Sequence, residues 1–458
     1  MKKKAIVVCL GYAFYYFKHL IYSNYEVVAI VDNSKEKQGT EIDGYTVKAL
    51  SSVDPFSYDT VLVTTSHDMI QEQLNSLHID KEVIAVDRNL FPFDSFSDYV
   101  KFKRNLRISV SFIGGVGDFL IGRKWLDSVL TKYNLKNSEV DIYVYSYSID
   151  NAKSAFNNWD IHKNLKSISK ASIEISSGYD VVLQFCIFPF VYSFVGENLY
   201  LYNKSFFDYV INLQKFGYEN FNYGFYKNNF FYKNVRNLFE KLNKKYHTFY
   251  DVLSNLNAND DFGYELPILI DESEYLKKCG LDCPYITLST GLNKEYKSFT
   301  DNTRAWDMHS WNNLSLLIKK KFEYLKTVQI GLDMSEKEKS KADVSLSGKT
   351  SFEELKCILK NSILHVDYDG GLVHIRHILQ GGPSIVLFGP SSKKWHEYEE
   401  NISIQTDVCM SCEWTSEQWL KKCPKGFDYP ICMKSITPEK VLKYVEIAMK
   451  KYDLQRVL

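Results

Sequence analysis

The amino-acid sequence predicts an α/β protein made of three successive strand–helix units. The chain has 458 residues, which is too long for one ordinary hydrophobic core. Short apolar runs alternate with segments of helical spacing, and this alternation is typical of doubly wound parallel sheets. Gly-rich turns follow strands in the second and third units, where open α/β sheets bind ligands. We expect domains at residues 1–95, 106–280 and 281–458.

The first unit alternates strands with a helical segment. Gly11 is followed about twenty residues later by Asp32, as in a dinucleotide-binding fingerprint. Bulky aromatic residues in Tyr12–Tyr16 stand where that fingerprint needs glycine, and they would crowd a pyrophosphate. We therefore expect a docking or oligomerisation domain, with dinucleotide binding as the alternative. The predicted strands are Ala5–Leu10, Glu26–Val31, Asp59–Thr65 and Glu82–Val86, and the predicted helix is Ala13–Ser23.

The second unit carries a carboxylate in its first strand-to-helix turn. The strand Arg107–Phe112 leads into the turn Ile113–Gly122, which contains Asp118 and, before it, three glycines: Gly114, Gly115 and Gly117. These glycines would let an acceptor molecule approach the backbone. Asp118 could then take the proton of an acceptor hydroxyl during attack. The alternative is that Asp118 only caps the helix predicted at Arg123–Lys132.

The third unit contains a second Gly-rich turn. The strand Ser362–Val366 delivers Asp369-Gly370-Gly371-Leu372-Val373-His374, and a helix follows from His374 to Gln380. The next strand, Ile385–Phe388, leads into Gly389-Pro390-Ser391. Glycines let backbone N–H groups approach an anion, and a helix start adds partial positive charge, so the turn could hold a diphosphate. The alternative is an ordinary strand-to-helix turn, in which glycine only satisfies the backbone conformation.

Charge and apolar patterning exclude several classes of partner. The 56 Lys and Arg residues balance the 56 Asp and Glu residues, so no net basic field would attract nucleic acid or an anionic membrane. The apolar run Ala5–Leu10 is too short for a signal sequence. The least charged stretch, Val181–Gly196, contains Gln184 and Pro189 and falls short of a membrane span. We expect a cytoplasmic protein without a membrane span or a nucleic-acid partner.

Four of the nine cysteines lie close together near the carboxyl end of the chain: Cys409, Cys412, Cys423 and Cys432. Without a secretory signal, such a group favours a metal over disulfides. Four thiolates suit tetrahedral iron or zinc, and we expect one structural ion per chain. Cys279 and Cys283 could also bind metal, although a buried thiol pair explains them more simply.

The two Gly-rich turns resemble motifs of glycosyltransferase family 9, the heptosyltransferases. That family has Asp-Ser-Gly-x-x-His, a helix and then Phe-Gly-Pro-Thr. Asp369, Gly371 and His374 align with the first pattern. Gly389-Pro390 aligns with the second, and Ser391 stands where the family often has Thr. The segment Leu346 to Ser351, which includes Lys349, resembles the family's Leu-x-Gly-x-Thr-Ser element.

The resemblance also covers a catalytic base and a phosphate-binding cation. The family reads roughly Gly-x-x-Gly-Asp at its first turn, and its Asp is the proposed base, which Asp118 matches. The family also has Lys-x-Trp-Pro, whose Lys contacts the donor phosphates. Arg304 occupies the Lys position, and Asp307 replaces the Pro. Because Arg can clamp phosphate bidentately, the role of the cation is expected to survive.

The cysteine frame is similar to that of the bacterial autotransporter heptosyltransferases. Those enzymes carry a four-cysteine iron site, use ADP-heptose, modify Ser residues of adhesins and form large homo-oligomers. The resemblance runs from Leu106 to Val441, and the first hundred residues depart from it. It implies a homo-oligomer, a nucleotide-sugar donor and a protein acceptor.

Together the resemblances imply a GT-B glycosyltransferase of two Rossmann-like domains, preceded by an additional Rossmann-like domain. Asp118 would deprotonate an acceptor hydroxyl, which inverts the anomeric carbon as it attacks. Glu336 could accept hydrogen bonds from the ribose hydroxyls of the donor nucleotide, or it could be a solvated residue at a helix start. The expected donor-binding residues are Thr290, Arg304, Glu336, Lys349, Asp369, Gly370, Gly371, His374, Gly389 and Ser391.

Three alternatives stay open at the level of sequence. Asp367 and Asp369 form an Asp-x-Asp pair that could hold a divalent cation. Asp369 already belongs to the donor motif, however, so we expect that catalysis requires no such cation. The acceptor could be a protein Ser, or a sugar of lipooligosaccharide or capsule. A non-catalytic scaffold that binds a nucleotide sugar is the third alternative, against which the intact Asp118, Asp369 and His374 argue.

Overall fold

The computed structural model describes residues 2–10, 12–64, 67–77, 79–86, 105–156, 158–159, 165–168, 178–221, 231–290, 302–331, 341–409 and 411–457. Within these ranges the chain forms three mainly parallel sheets and a small antiparallel hairpin. Helices connect most of the parallel strands. The predicted α/β class is therefore confirmed.

The first sheet has four parallel strands in the order β2-β1-β5-β6. Its inner strand β1 is apolar and buried from Ala5 to Val8, as expected for a strand covered on both faces. The elements are β1 (Lys3–Val8), α1 (Tyr12–Asn24), β2 (Tyr25–Val31), the hairpin β3 (Glu41–Ile42) and β4 (Tyr45–Thr46), β5 (Thr60–Val63), α2 (His67–Ser76) and β6 (Glu82–Ala85).

The second sheet has five strands in the order β11-β10-β7-β8-β9, and only the β10–β11 pair is antiparallel. Its elements are β7 (Arg107–Phe112), α3 (Val116–Lys132), β8 (Glu139–Tyr145), α4 (Ile149–Ala155), β9 (Leu165–Ile168), β10 (Val181–Cys186) and β11 (Phe188–Phe194). Four helices follow before the third sheet begins: α5 (Gly196–Tyr202), α6 (Lys204–Phe221), α7 (Phe231–Leu242) and α8 (Glu272–Lys278).

The third sheet has six parallel strands in the order β14-β13-β12-β15-β16-β17. Its apolar core includes Trp306, Trp311 and Met433. The elements are β12 (Tyr285–Ser289), α9 (Met308–Lys321), β13 (Lys326–Ile330), β14 (Val344–Ser345), α10 (Phe352–Asn361), β15 (Leu364–Tyr368), α11 (Gly371–Ile378), β16 (Ser384–Phe388), α12 (Lys393–His396), β17 (Ile402–Gln405), α13 (Ile431–Lys434) and α14 (Pro438–Val457).

The chain contacts define two compact units. One comprises residues 1–113, 126–149 and 160–223, and the other comprises residues 114–125, 150–159 and 224–458. The second unit therefore contains the third sheet together with the first turns of α3. The three predicted domain boundaries stay a prediction. No described helix combines the length and the apolar character that crossing a membrane requires.

Side chains at the helix starts explain where the helices α9 and α10 begin. Ser351 caps α10, and the carboxylate of Glu354 accepts the Ser351 N–H at 2.7 Å, which completes a capping box. Asp307 accepts the N–H of Ser310 at 2.9 Å and so caps α9. Asp307, which stands where the heptosyltransferase pattern has Pro, is thus the N-cap residue of α9.

Two helices begin earlier than the sequence predicts. Helix α3 starts at Val116 instead of Arg123, because the Asp118 carboxylate accepts the Gly115 N–H at 2.7 Å and stabilises the first turn. Gly117, expected in a loop, therefore lies within the helix. Helix α11 starts at Gly371 instead of His374, and the extended Gly370 precedes it.

Candidate functional site

Two helix N-termini meet in the compact unit that comprises residues 114–125, 150–159 and 224–458. A Cβ atom on Gly117 of α3 would lie 2.6 Å from His374 Cδ2, and one on Gly371 of α11 would lie 2.5 Å from Val116 Cγ1. Because real Cβ atoms do not approach this closely, both positions need glycine for the two first turns to touch. The first backbone N–H groups of a helix have no partner within the helix, and its dipole favours an anion there. The site therefore suits an anionic ligand.

Asp118 is the carboxylate at this meeting point. One of its oxygens accepts the Gly115 N–H at 2.7 Å, and the other accepts the hydroxyl of Tyr246. Burial raises the pKa of Asp118 above its ordinary value, although these two hydrogen bonds oppose the rise. Asp118 thus caps its helix and also presents a half-buried carboxylate of raised basicity. The two roles weighed from the sequence are compatible in this geometry.

Asp369 follows β15 and faces a guanidinium group. The Nη1 atom of Arg304 donates to the Asp369 carbonyl oxygen at 3.0 Å and lies 3.7 Å from its carboxylate. Burial of Asp369 favours the neutral acid, but the charges of His396 and Arg304 outweigh it, so the pKa of Asp369 is lowered. The carboxylate is therefore ionised. The structure brings together two residues that are far apart in sequence and were both predicted to bind the donor.

His374 is a neutral imidazole on the first turns of α11. Burial lowers its pKa to about 3. Its Nδ1 atom lies 2.6 Å from the hydroxyl of Tyr398, whose pKa burial raises far above the ordinary value. Since the phenol keeps its proton, it can donate to Nδ1 and leave the Nε2–H of His374 as a donor. The ring of Tyr398 is stacked between His247 and His377, with centroid distances of 4.3 and 3.9 Å.

His396 and Glu413 form a buried pair that sequence reasoning missed. His396 Nε2 lies 2.8 Å from a Glu413 oxygen, and the other oxygen accepts the Ser392 N–H at 3.1 Å. Burial favours the neutral ring, but the carboxylates of Asp369 and Glu413 outweigh it and raise the pKa of His396 to about 9. His396 is thus a cation at neutral pH. Two features of the sequence could have identified this pair. His396 lies shortly after the Phe-Gly-Pro-Ser-Ser motif, and Glu413 lies next to Cys412.

Tyr246 was also missed, because it lies in an aromatic segment without a motif. Its ring lies 4.8 Å from His396 and 6.4 Å from His374 between centroids. It also stacks on Trp414 at 6.3 Å. These contacts hold its hydroxyl toward Asp118, so Tyr246 is an orienting partner of the candidate base.

The remaining predicted donor residues have different surroundings. Thr290 is fully buried after β12, and its hydroxyl accepts from Gln329 at 2.7 Å. Lys349 is exposed and donates to the Ser345 carbonyl at 3.2 Å. Glu336 lies outside the described residues. Gly370 lies next to Asp369 in the chain. Ser391 follows the Phe-Gly-Pro motif and is fully buried.

The two carboxylates of the Asp-x-Asp pair have different partners. Asp367 lies 3.4 Å from Nε2 of the buried His365, whereas Asp369 faces Arg304. Burial raises the pKa of Asp367, although His365 opposes the rise. This is the opposite direction from the pKa shift of Asp369.

The Phe-Gly-Pro turn packs directly on the cysteine loop. A Cβ atom on Gly389 would overlap the Met433 side chain and lie 3.4 Å from Cys432 Sγ. The Pro390 carbonyl accepts the N–H groups of Cys412 and Glu413 at 3.0 and 3.1 Å. The cysteine loop therefore positions Glu413, and with it the buried pair described above.

The four cysteines of the loop form no disulfide in the described part of the chain, and Cys432 lies within electrostatic reach of the other three. Burial is the main cause that raises the pKa of Cys432 to about 12 and that of Cys412 to about 11, and the neighbouring cysteines raise both further. Among the described residues, no three of these sulfur atoms lie within 4.8 Å of one another. The four-cysteine metal site expected from the sequence is therefore not seen as a preformed cluster in the described part of the chain.

Comparison with known proteins gives a family match for the first sheet only. The family model described as C2185-like, N-terminal, matches residues 1–85. No curated protein matches this chain.

Several solved glycosyltransferase structures are similar to about three quarters of the chain. A glycosyl transferase family 9 protein from Veillonella parvula is 15% identical, with 77% of this chain and 100% of that chain covered and a TM-score of 0.47. The E. coli ADP-heptose LPS heptosyltransferase II is 12% identical, with 76% and 100% covered and a TM-score of 0.45. The iron-containing dodecameric glycosyltransferase TibC from enterotoxigenic E. coli is 11% identical, with 77% and 78% covered and a TM-score of 0.47. At this identity and TM-score, the likeness by itself assigns no activity.

Proposed function

We propose that this protein is an inverting glycosyltransferase of the GT-B class. It transfers heptose or a related sugar from an ADP-heptose-like donor to a hydroxyl acceptor. The observation that carries the proposal is the contact between the first turns of α3 and α11, where Gly117 meets His374 and Gly371 meets Val116. In support of the proposal, the carboxylate of one motif lies beside the turn of the other that we propose to bind the diphosphate, as transfer between an acceptor and a nucleotide sugar requires.

The proposed reaction is a single in-line displacement. Asp118 accepts the proton of the acceptor hydroxyl as the oxygen attacks the anomeric carbon. The bond between that carbon and the diphosphate oxygen breaks, and the configuration inverts. Arg304 and the N-terminal amides of α11 stabilise the charge that develops on the leaving diphosphate. Tyr246 orients the base, and the neutral His374 can donate a hydrogen bond from Nε2.

The test of this proposal is nucleotide release from a panel of sugars. We expect purified protein to release nucleotide from ADP-heptose in preference to other ADP-sugars and UDP-sugars once a suitable acceptor is present. Release from a UDP-sugar alone would keep the transferase and change the donor. Binding of a nucleotide sugar without any release, with all acceptor classes supplied, would instead favour the non-catalytic scaffold.

We propose a Ser hydroxyl of an autotransporter-type protein as the acceptor. This rests on the cysteine frame, and a sugar of lipooligosaccharide or capsule is the alternative. Radiolabelled donor and cell lysate separate the two, because label would appear either in protein bands or in the lipid and polysaccharide fraction. A cytoplasmic location also stays a proposal, which fractionation of the native cells would test.

The N-terminal domain is proposed to serve oligomerisation. Asp32, the residue that would bind a ribose, is buried and already accepts the N–H groups of Leu10 and Ser34 at 2.7 and 2.9 Å. Lys37 lies 3.0 Å from the same carboxylate. Because the chain itself satisfies this acid, dinucleotide binding is disfavoured. Light scattering of the full chain is expected to show a homo-oligomer.

Removing the phosphate-binding cation is expected to weaken donor binding. Arg304→Ala should reduce the binding free energy of ADP by about 1–3 kcal/mol, because a charge-assisted hydrogen bond is lost. Calorimetric titration with ADP measures the change. Lys360→Ala removes an exposed cation that pairs with Glu272 at 3.0 Å and should leave the affinity unchanged. Equal affinity in both variants would remove Arg304 from the donor site.

We propose that Cys409, Cys412, Cys423 and Cys432 hold one structural metal ion, with iron ahead of zinc. A closed site of four protein thiolates supplies folding free energy and no open position for chemistry. Catalysis is proposed to need no divalent cation, because Arg304 and helix N-termini supply positive charge.

Cys412→Ser is expected to abolish stoichiometric metal and to lower solubility or disturb assembly more than it changes turnover per folded molecule. The loss follows because the loop between Thr406 and Ser435 keeps the packing of Trp414, Trp419 and Met433 but no longer gains the free energy of metal binding. Elemental analysis of protein purified without chelator measures the metal. Cys279→Ser, outside the loop, should retain it. A wild-type protein without iron or zinc, or with a disulfide between these cysteines, would contradict the proposal.

A further inference from the structure

His396 occupies a defined position that the proposed reaction has not yet used. It is the last residue of α12, and its side chain is only 5% exposed. Glu413 accepts the Ser392 N–H at the start of this helix and holds His396 Nε2 at its end. The Glu413 carboxylate thus contacts the backbone at the start of α12 and the imidazole at its end. The orientation of the imidazole is therefore fixed by a residue of the cysteine loop.

The second ring nitrogen of His396 is available for a ligand. Among the described residues, no hydrogen bond to Nδ1 is present, while Nε2 is held by Glu413. Ligand atoms of His396, Asp369 and Glu413 all lie within 4.8 Å of one another. The ring therefore lies beside the Gly-rich turn that binds the diphosphate in the proposed function.

The charges around His396 favour an imidazolium over a bound metal ion. The anionic groups that face it are Asp369 after β15, Glu413 in the cysteine loop and Asp118 on α3. Arg304 is the neighbouring cation, 3.7 Å from the Asp369 carboxylate, and His374 is neutral. A divalent cation at Asp369, His396 and Glu413 would have to displace the proton of His396 and also lie near the guanidinium of Arg304. The imidazolium already supplies the positive charge.

We propose that His396 binds the diphosphate of the donor through Nδ1–H and takes the place that a divalent cation has in other phosphate-binding sites. Glu413 is its positioning residue. This inference rests on the proposed function, because the diphosphate is the leaving group of that reaction. Because Glu413 lies in the cysteine loop, disorder of this loop would displace Glu413 and weaken donor binding.

The test compares three ligands by calorimetry: ADP, inorganic pyrophosphate and adenosine. His396→Gln should weaken ADP and pyrophosphate by about 10- to 100-fold, as the loss of a charge-assisted hydrogen bond does, and leave adenosine unchanged. Glu413→Gln should change the same two affinities in the same direction by a smaller factor, so it tests the proposal even where His396→Gln folds poorly. The exposed His309→Gln is the matched control and should bind all three ligands as wild type does.

Two outcomes would overturn the inference. Unchanged ADP and pyrophosphate affinity in folded His396→Gln would remove His396 from the phosphate site. ADP affinity in wild type that collapses with EDTA and returns with Mg²⁺ or Mn²⁺ would make the three residues metal ligands instead. Failure of the proposed function looks different, because ADP and pyrophosphate would still bind through His396 while no sugar nucleotide is turned over.

Discussion

Asp118→Asn is expected to lower turnover by about two orders of magnitude or more, while ADP affinity stays nearly unchanged. Asparagine is almost isosteric, but its amide cannot take a proton from the acceptor hydroxyl. One side-chain oxygen remains, so the variant can keep either the hydrogen bond from Gly115 or that from Tyr246, and a small loss of stability accompanies the change. Single-turnover nucleotide release measures the chemistry, and calorimetry with ADP measures the binding.

Tyr246→Phe is the control for the base, because it leaves the carboxylate in place and removes only its hydroxyl partner. The hydrogen bond from Tyr246 holds down the pKa of Asp118, so the pKa should be higher in the variant. Since the base must be ionised, turnover falls as pH decreases through this pKa, and that fall should occur at higher pH in Tyr246→Phe. Wild-type turnover in Asp118→Asn would leave Asp118 with its capping role alone.

Gly371→Val is expected to abolish detectable ADP binding while the sheet persists. Any side chain at this position would enter the space between the first turns of α3 and α11, since even a Cβ atom would lie 2.5 Å from Val116 Cγ1. Valine would also cover the backbone N–H groups that we propose to bind the diphosphate. The two turns must therefore separate or the anion must be excluded. Calorimetry with ADP measures the loss, and circular dichroism checks that the fold survives.

Gly370→Ala is the matched control for this glycine. Gly370 has an extended backbone with φ −155°, and a Cβ atom there would meet its nearest neighbour, the Tyr368 carbonyl oxygen, at an ordinary 3.5 Å. Alanine should therefore be tolerated with ADP affinity close to that of wild type. If Gly371→Val bound ADP as well as Gly370→Ala does, the diphosphate would not lie at this turn.

Much of the fold could be predicted from the sequence, because buried parallel strands read as short apolar runs. The strand Arg107–Phe112 was predicted with its observed bounds. The start of α3 was predicted too late, since the glycines before Arg123 argue against helix. A carboxylate–backbone hydrogen bond at Asp118 outweighs that propensity, and local pattern does not reveal it.

The candidate site was predicted only where its residues belong to motifs. Asp118, Asp369 and His374 stand in recognisable turns, and the structure brings these turns together. Tyr246, His396 and Glu413 carry no pattern of their own. They become neighbours of the site only through stacking with Trp414 and through the loop that follows Pro390.

The sequence by itself determined the α/β class, the two Gly-rich turns and the grouping of four cysteines, because each depends on residues close together in the chain. Only the tertiary structure decided which residues face one another across these segments. Charge state is the clearest case: His374 is neutral and His396 is a cation, although both are buried histidines of the same unit. The difference arises because the carboxylate of Glu413 is hydrogen-bonded to one ring, whereas a neutral phenol faces the other, and residue type alone does not encode that environment.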